Sequence, residues 1–345
     1  MVTHAEPILT KFSVVLAVRN GWPYVQECVE SILAQTYPHF DLIVLDNQST
    51  DATVPWIKSL DDSRIRLYSS TSALSIVDSW ARVTGVEKQK YLTLIGHDDT
   101  LDPGFLEAVK RLIDRHPDAK LYQTAFRFID TVGKTIRSCR PVPLRETPAL
   151  YLEGRFTYQR DITGTGVVMR AAEFDQVGGL PNFERLFFAD DALWLTLMEG
   201  GYKAFDPGEC CAVRMHAKKE STTKPSSWPS LLLGLNQFSE FLQGYVERDA
   251  EARAVVAQHA AGFMLNYHQN LYILALLEAC QLGRKIDAAA TDQLIASLKK
   301  CAPAVAGSLR SSSRVSIIEA INATPMRRMV LPLWAAYHRF WMQAQ

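Results

Sequence analysis

The chain has no CxxC pair and no cysteine–histidine cluster at zinc spacing. Its six cysteines, Cys28, Cys139, Cys210, Cys211, Cys280 and Cys301, are scattered. That excludes a structural zinc module, and with no secretory leader read at the start it predicts a reducing, cytoplasmic setting in which the thiols act as small buried hydrophobes. Neither sign of charge is in excess, with 37 Lys plus Arg against 37 Asp plus Glu, so no overall field draws in nucleic acid. Long apolar runs are missing as well. The best stretch, residues 263–280, is broken by Asn266, His268, Gln269, Asn270 and Glu278, which argues against a membrane-spanning helix. No repeat period or low-complexity tract is present, so solenoids and linker-rich arrays are excluded.

What is there suits a globular α/β protein. Apolar residues make up 48% and charged residues 21% of 345, enough for one large domain and an appendage. Phe12–Val18 is a nearly continuous apolar run of the kind a strand buried on both faces needs. Pro23–Gln35 sets Val25, Val29, Ile32 and Leu33 at helical spacing, and Asp41–Leu45 is a second strand that runs into the polar turn Asp46–Asp51. Strand, helix, strand predicts a βαβ unit. Further strands are expected at Arg64–Tyr68, Tyr91–Ile95, Leu121–Phe128, Val167–Arg170 and Tyr202–Phe205, with another leading to His216. Helices are expected at Leu74–Val86, Phe105–Arg115, Ala171–Val177 and Asp190–Glu199, and residues 130–150 read as a loop or short hairpin. From about Ser226 the pattern turns Leu/Ala-rich and helical.

The acidic residues sit where strands end. In open α/β sheets ligands bind beyond the carboxyl ends of strands, so the Asp46 turn and the Gly96-His97-Asp98-Asp99 turn can face one crevice. Adjacent carboxylates repel unless a cation or hydrogen-bond donors offset them; hard oxygens of this kind suit Mg²⁺ or Mn²⁺ shared with a substrate's phosphates. A solvated helix cap is the plain alternative. His216 follows a strand and can add a ligand or phosphate contact. Asp190-Asp191 open a helix, where the dipole favours negative charge, and a carboxylate there can also deprotonate an acceptor hydroxyl. The first strand is followed by Arg19-Asn20-Gly21-Trp22-Pro23 rather than GxGxxG, and no GxxxxGK[ST] occurs, which excludes a dinucleotide-binding dehydrogenase and a P-loop hydrolase.

Residues 13–20 (SVVLAVRN), 30–40 (ESILAQTYPHF) and 44–51 (VLDNQSTD), then Gly96–Asp99, Val177-Gly178-Gly179, Ala189–Trp194 and Arg214–His216, together resemble family 2 glycosyltransferases. The resemblance implies a GT-A fold, Rossmann-like, with a mostly parallel central sheet flanked by helices and a C-terminal α-helical region. It implies a catalytic domain over residues 1–220, a nucleotide-sugar half to about 128 and an acceptor half beyond, and a helical region over 221–345. It implies that Ala17, Arg19, Asn20, Asp46 and Asp98 bind the donor nucleotide, that Asp98, Asp99 and His216 hold Mn²⁺ or Mg²⁺, and that Asp190, or with a one-residue slide Asp191, is the catalytic base. The implied reaction is inverting transfer from a nucleotide-diphosphate sugar to a glycan or lipid-linked acceptor, in bacterial-type surface polysaccharide or lipopolysaccharide synthesis. The chain departs from the usual pattern at Gly96, where an acid is common, at Arg19 and at Ala189, where Glu is common. Gly96 and Ala189 motivate one alternative, a sugar-nucleotide-binding protein of the same fold without turnover. The arginine- and aromatic-rich segment 327–341 suits an interfacial helix at the inner face of a membrane, and the helical region can otherwise form an acceptor lid or a homodimer contact.

Overall fold

The computed structural model describes residues 9–215, 224–325 and 327. His216 and, apart from Arg327, the segment 327–341 therefore lie outside the described residues. The described backbone gathers into two compact units, one within Met1–Tyr151, Gln159–Asn182 and Ala189–Met215, the other within Leu152–Tyr158, Phe183–Phe188 and His216–Gln345.

The first unit is built on a ten-stranded sheet. Its main path carries β1 (Phe12–Val18), β2 (Phe40–Asp46), β3 (Ile65–Ser69), β4 (Tyr91–Ile95), β5 (Thr100–Leu101), β6 (Leu121–Ile129), β9 (Val167–Arg170) and β10 (Lys203–Arg214) in the order β3-β2-β1-β4-β9-β6-β10-β5. β7 (Thr135–Ser138) and β8 (Arg145–Glu146) attach to β6 and β10. β3, β2, β1 and β4 pair in parallel, as do β6 and β10; β9 runs antiparallel between β4 and β6. The six long strands thus point one way. Their apolar residues are buried on both faces, Val14, Leu16, Leu42 and Val44 on one and Val15, Ile43 and Leu45 on the other, as a sheet covered by helices requires.

Helices α1 (Tyr24–Leu33), α2 (Thr53–Ser59), α3 (Ile76–Ala81), α4 (Phe105–Arg115), α6 (Ala171–Gln176) and α7 (Ala189–Met198) belong to this unit, and α5 (Pro148–Phe156) begins in it. In α4 the residues Phe105, Leu106, Val109, Leu112 and Ile113 are buried, each worth about 1.5–3 kcal/mol of transfer free energy. The expected helix Leu74–Val86 is instead α3 followed by a 3₁₀ turn at Arg82–Gly85. The two strands expected around Tyr202–Phe205 and before His216 are one strand, β10, which passes Pro207 and Gly208 through register shifts between Asp206 and Cys211.

Polar residues at the end of α1 and just beyond it act as clamps. Ser31 Oγ accepts Leu101 N–H at 3.1 Å. Gln35 donates to Asp102 O at 2.8 Å and accepts Leu106 N–H at 3.0 Å, and Thr36 N–H reaches Pro103 O at 2.8 Å. The end of α1 therefore holds the entry to α4, and with it the acidic turn just upstream.

In the second unit the helices Trp228–Tyr245, Ala250–Gln281, Ala288–Cys301 and Ser313–Ala323 surround an aromatic core. Phe188 stacks on Phe238 at 4.5 Å, and Phe263 packs on Tyr267 at 4.7 Å. Gly234 is required there, because a Cβ would lie 2.9 Å from both Glu184 O and Phe187 Cβ. Among the described residues no helix is long and apolar enough to cross a membrane.

Candidate active site

The two acidic turns emerge at the same edge of the sheet. Val18 at the end of β1 is paired with Asp46 at the end of β2, and Leu16 with Ile95 at the end of β4. The turns are therefore two inter-strand spacings apart, roughly 10 Å. The β1 loop bridges them. Gly21 N–H donates to Thr53 Oγ1 at 3.0 Å on one side, while on the other a Cβ at Gly21 would come within 3.2 Å of the His97 ring and 2.7 Å of Val18.

Of the residues expected to meet the nucleotide, Ala17 is half-buried on β1, and Arg19 and Asn20 are exposed in the loop beyond it. Asn20 adopts φ 52°, which its short side chain tolerates, and so reaches the second turn. Its amide oxygen accepts Thr50 N–H at 2.8 Å and its N–H donates to Ser49 Oγ at 2.9 Å. Asp46 is buried, its carboxylate accepts Ser49 N–H at 3.0 Å, and its carbonyl accepts the Arg82 guanidinium at 2.9 Å. Asn47 locks the same turn onto Leu74 by hydrogen bonds in both directions. Asp46 thus organises a rigid polar rim.

The second turn is tighter. Asp99 is 7% exposed; its Oδ1 accepts Arg214 N–H at 2.8 Å and its Oδ2 accepts the Thr165 hydroxyl. Thr165 Oγ1 also accepts Gly96 N–H at 3.1 Å. Both carboxylates fold back over Gly96, where a Cβ would lie 2.9 Å from Asp98 Oδ1 and 3.1 Å from Asp99 Oδ2. Around this charge, burial and then Asp99 push the Cys28 thiol up, and the same two causes act in the same order on Cys211, so both stay protonated.

Arg214 is the residue that motif reading undervalued. It is 2% exposed and its side chain donates to Asp98 O at 2.9 Å, to Asp130 O at 3.0 Å and to the Glu27 carboxylate, with the guanidinium 4.9 Å over the Tyr24 ring. One buried cation thereby ties β10, β6, α1 and the acidic turn together. The motif Arg214–His216 drew notice to the histidine, while the role of the arginine depends on partners from three separate segments.

Asp190 and Asp191 differ in surroundings. Asp191 is 3% exposed and accepts the Tyr151 hydroxyl at 2.9 Å. Asp190 is half-buried with its carboxylate against Gly164, where a Cβ would sit 3.1 Å from Oδ2. Gly164 adjoins Thr165, so Asp190 shares a loop with the partner of Asp99. Beneath Tyr151 lies a buried group in which Lys203 pairs with Glu146 at 2.8 Å and donates to Gln123 at 2.8 Å, and Arg160 pairs with the same carboxylate. Burial first, then Arg160, pulls the Lys203 ammonium down to about 8.

The donor set fits a hard divalent ion of the Mg²⁺ or Mn²⁺ type. Such ions take one or two carboxylates and complete their shell with phosphate and water, and each carboxylate oxygen of Asp98 and Asp99 has more than one acceptor position. Among the described residues no group of three or more His, Cys, Asp or Glu side chains is placed to hold a metal ion.

Comparisons agree with this geometry. Residues 13–174 match the family described as glycosyl transferase family 2. TuaG of Bacillus subtilis, by name a glycosyltransferase of teichuronic acid biosynthesis, is 25% identical over 222 residues, covering 61% of this chain and 80% of that protein. Across curated relatives the chain spans as little as 13% of the partner's length. Among solved structures, TarS 1–349 of S. aureus in complex with UDP-GlcNAc superposes with a TM-score of 0.59 at 14% identity, covering 94% of this chain and 92% of that one. The mannosyltransferase PcManGT of Pyrobaculum calidifontis, in complex with GDP-Man and Mn²⁺, gives 0.51 at 14% identity, covering 94% and 87%. A mostly parallel sheet with acidic turns at one edge, a match to glycosyl transferase family 2 over residues 13–174 and the likeness to these solved structures give the chain a GT-A fold whose first half carries a family 2 glycosyltransferase region.

Proposed function

We propose that the chain transfers a glycosyl group from a nucleotide-diphosphate sugar to a hydroxyl of a glycan or lipid-linked acceptor, with inversion, in surface polysaccharide synthesis. The observation that carries this is that one loop, residues 163–166, touches both Asp99 and Asp190. Nucleotide recognition falls to Ala17, Arg19, Asn20 and Asp46, and the Asp98-Asp99 turn faces the diphosphate. A bound Mn²⁺ or Mg²⁺ supplies positive charge that stabilises the departing diphosphate, a contribution of several kcal/mol. Asp190 takes the proton from the acceptor hydroxyl as it attacks the anomeric carbon, worth roughly 10²–10⁴-fold; Asp191, bonded to Tyr151, holds the helix start. The names and ligands of TuaG, TarS and PcManGT support donor class and metal use.

The test is a panel of nucleotide sugars scored for Mn²⁺-dependent thermal stabilisation, followed by NMR of the product anomer. Stabilisation by at least one donor and an inverted product are expected. No stabilisation by any donor, or retained configuration, sinks the reading.

A further inference from the structure

Asp99 and Asp190 come from distant segments, yet a loop to which neither belongs touches both. Residues 163–166 cross the end of β4 just ahead of β9. Thr165 Oγ1 donates to Asp99 Oδ2 and accepts Gly96 N–H, while the Cα of Gly164 lies against the Asp190 carboxylate. The loop is firmly held. Thr165 N–H bonds to Thr163 Oγ1 at 3.0 Å and Gly166 N–H reaches Leu94 O at 3.4 Å. Gly166 has φ +81°, and a Cβ there would lie 2.9 Å from Cys211 Sγ. Thr163 and Thr165 are both buried.

We propose that Thr165 is a positioning residue and that, with Gly164, it forms a shared support setting the spacing between Asp99 and Asp190. The inference rests on the function proposed above and deepens it. A carboxylate anchored at Oδ1 by Arg214 N–H and at Oδ2 by Thr165 cannot rotate, so its remaining lone pairs keep one direction toward a cation. The Thr165 hydroxyl is itself fixed, because it accepts from Gly96 as it donates to Asp99. Gly164 lets the Asp190 carboxylate approach closely, since a Cβ there would sit 3.1 Å from its Oδ2 and press on it.

The experiment uses the full chain with Thr165→Val, Thr165→Ser and Gly164→Ala. Mn²⁺ affinity is read by electron paramagnetic resonance with UDP or GDP present, and kcat with the preferred donor; thermal unfolding checks the fold. Loss of an outer hydrogen-bond partner typically costs ~10–100-fold in metal affinity, so a drop of that size is expected for Thr165→Val and recovery for Thr165→Ser. Gly164→Ala is expected to lower kcat while leaving Mn²⁺ affinity unchanged, since it displaces only Asp190. Wild-type Mn²⁺ affinity in Thr165→Val, or wild-type kcat in Gly164→Ala, overturns the inference; should Thr165→Val not fold, Gly164→Ala decides alone. A wild type that neither binds Mn²⁺ nor uses any donor overturns the proposed function instead.

Discussion

Asp190 and Asp191 are adjacent in the chain and opposite in environment. Sequence left both open as the base, because a helix start offers each the same dipole. Burial separates them: Asp191 is spent on Tyr151, and Asp190 stands at Gly164. Asp190→Asn is therefore expected to lower kcat roughly 10²–10⁴-fold with donor affinity by calorimetry unchanged. Tyr151→Phe should cost about 1–3 kcal/mol of stability in chemical denaturation while turnover persists. Equal loss of turnover in both variants would argue for Asp191. Gly96 makes a second residue-scale case. Gly96→Asp restores the acid that relatives often carry, yet its Cβ would strike both neighbouring carboxylates. Mn²⁺-dependent transfer should fall rather than rise, and an increase would show that the turn can open.

At the scale of elements, strands read well and their interruptions read poorly. β1, β4 and β9 lie where unbroken β-branched runs put them. β10 did not read as one strand, because Asp206-Pro207-Gly208 has turn composition while bulges on β10 itself let pairing with β6 continue. The segment ESILAQTYPHF identified a family by pattern; what its polar residues do became visible only with α4 beside them. Gln35 satisfies two buried backbone groups across that contact. Gln35→Leu leaves the buried Leu106 N–H unpaired at about 1–3 kcal/mol, while Asp102 O keeps the Phe105 N–H at 2.9 Å. Thermal melting is expected to drop by several degrees, with a raised donor KM because the acidic turn loosens. A wild-type melting curve would mean that water replaces the amide at no cost.

At the scale of the whole molecule, the second unit holds its own titrating core. His268 is fully buried, its Nδ1 donating to Met264 O at 2.7 Å and its Nε2 2.8 Å from Ser297 Oγ. Burial, opposed by the bond to Met264, pushes the imidazole below its ordinary value. The folded ring stays neutral where the unfolded one takes a proton. Between the folded pKa and about 6.5 the unfolded state binds more protons, so stability is lost as pH falls through that window. Urea midpoints for the second unit's transition should be lower at pH 5.5 than at 7.5, and His268→Gln should flatten the difference; an unchanged slope in that variant would assign it to other groups.

The one-dimensional pattern determined the strand-end placement of Asp46, Asp98 and Asp99, since apolar runs fix where strands stop and βαβ connections fix which ends share an edge. It also determined the family, because ordered local motifs survive in sequence. Only the tertiary structure decided which acid of each pair is the more buried, that the Arg214 side chain reaches Asp98, Asp130 and Glu27, and that Thr165 and Gly164 touch Asp99 and Asp190. Those are contacts between segments far apart in the chain. Their partners are chosen by packing, and packing leaves no periodic trace at the positions it selects.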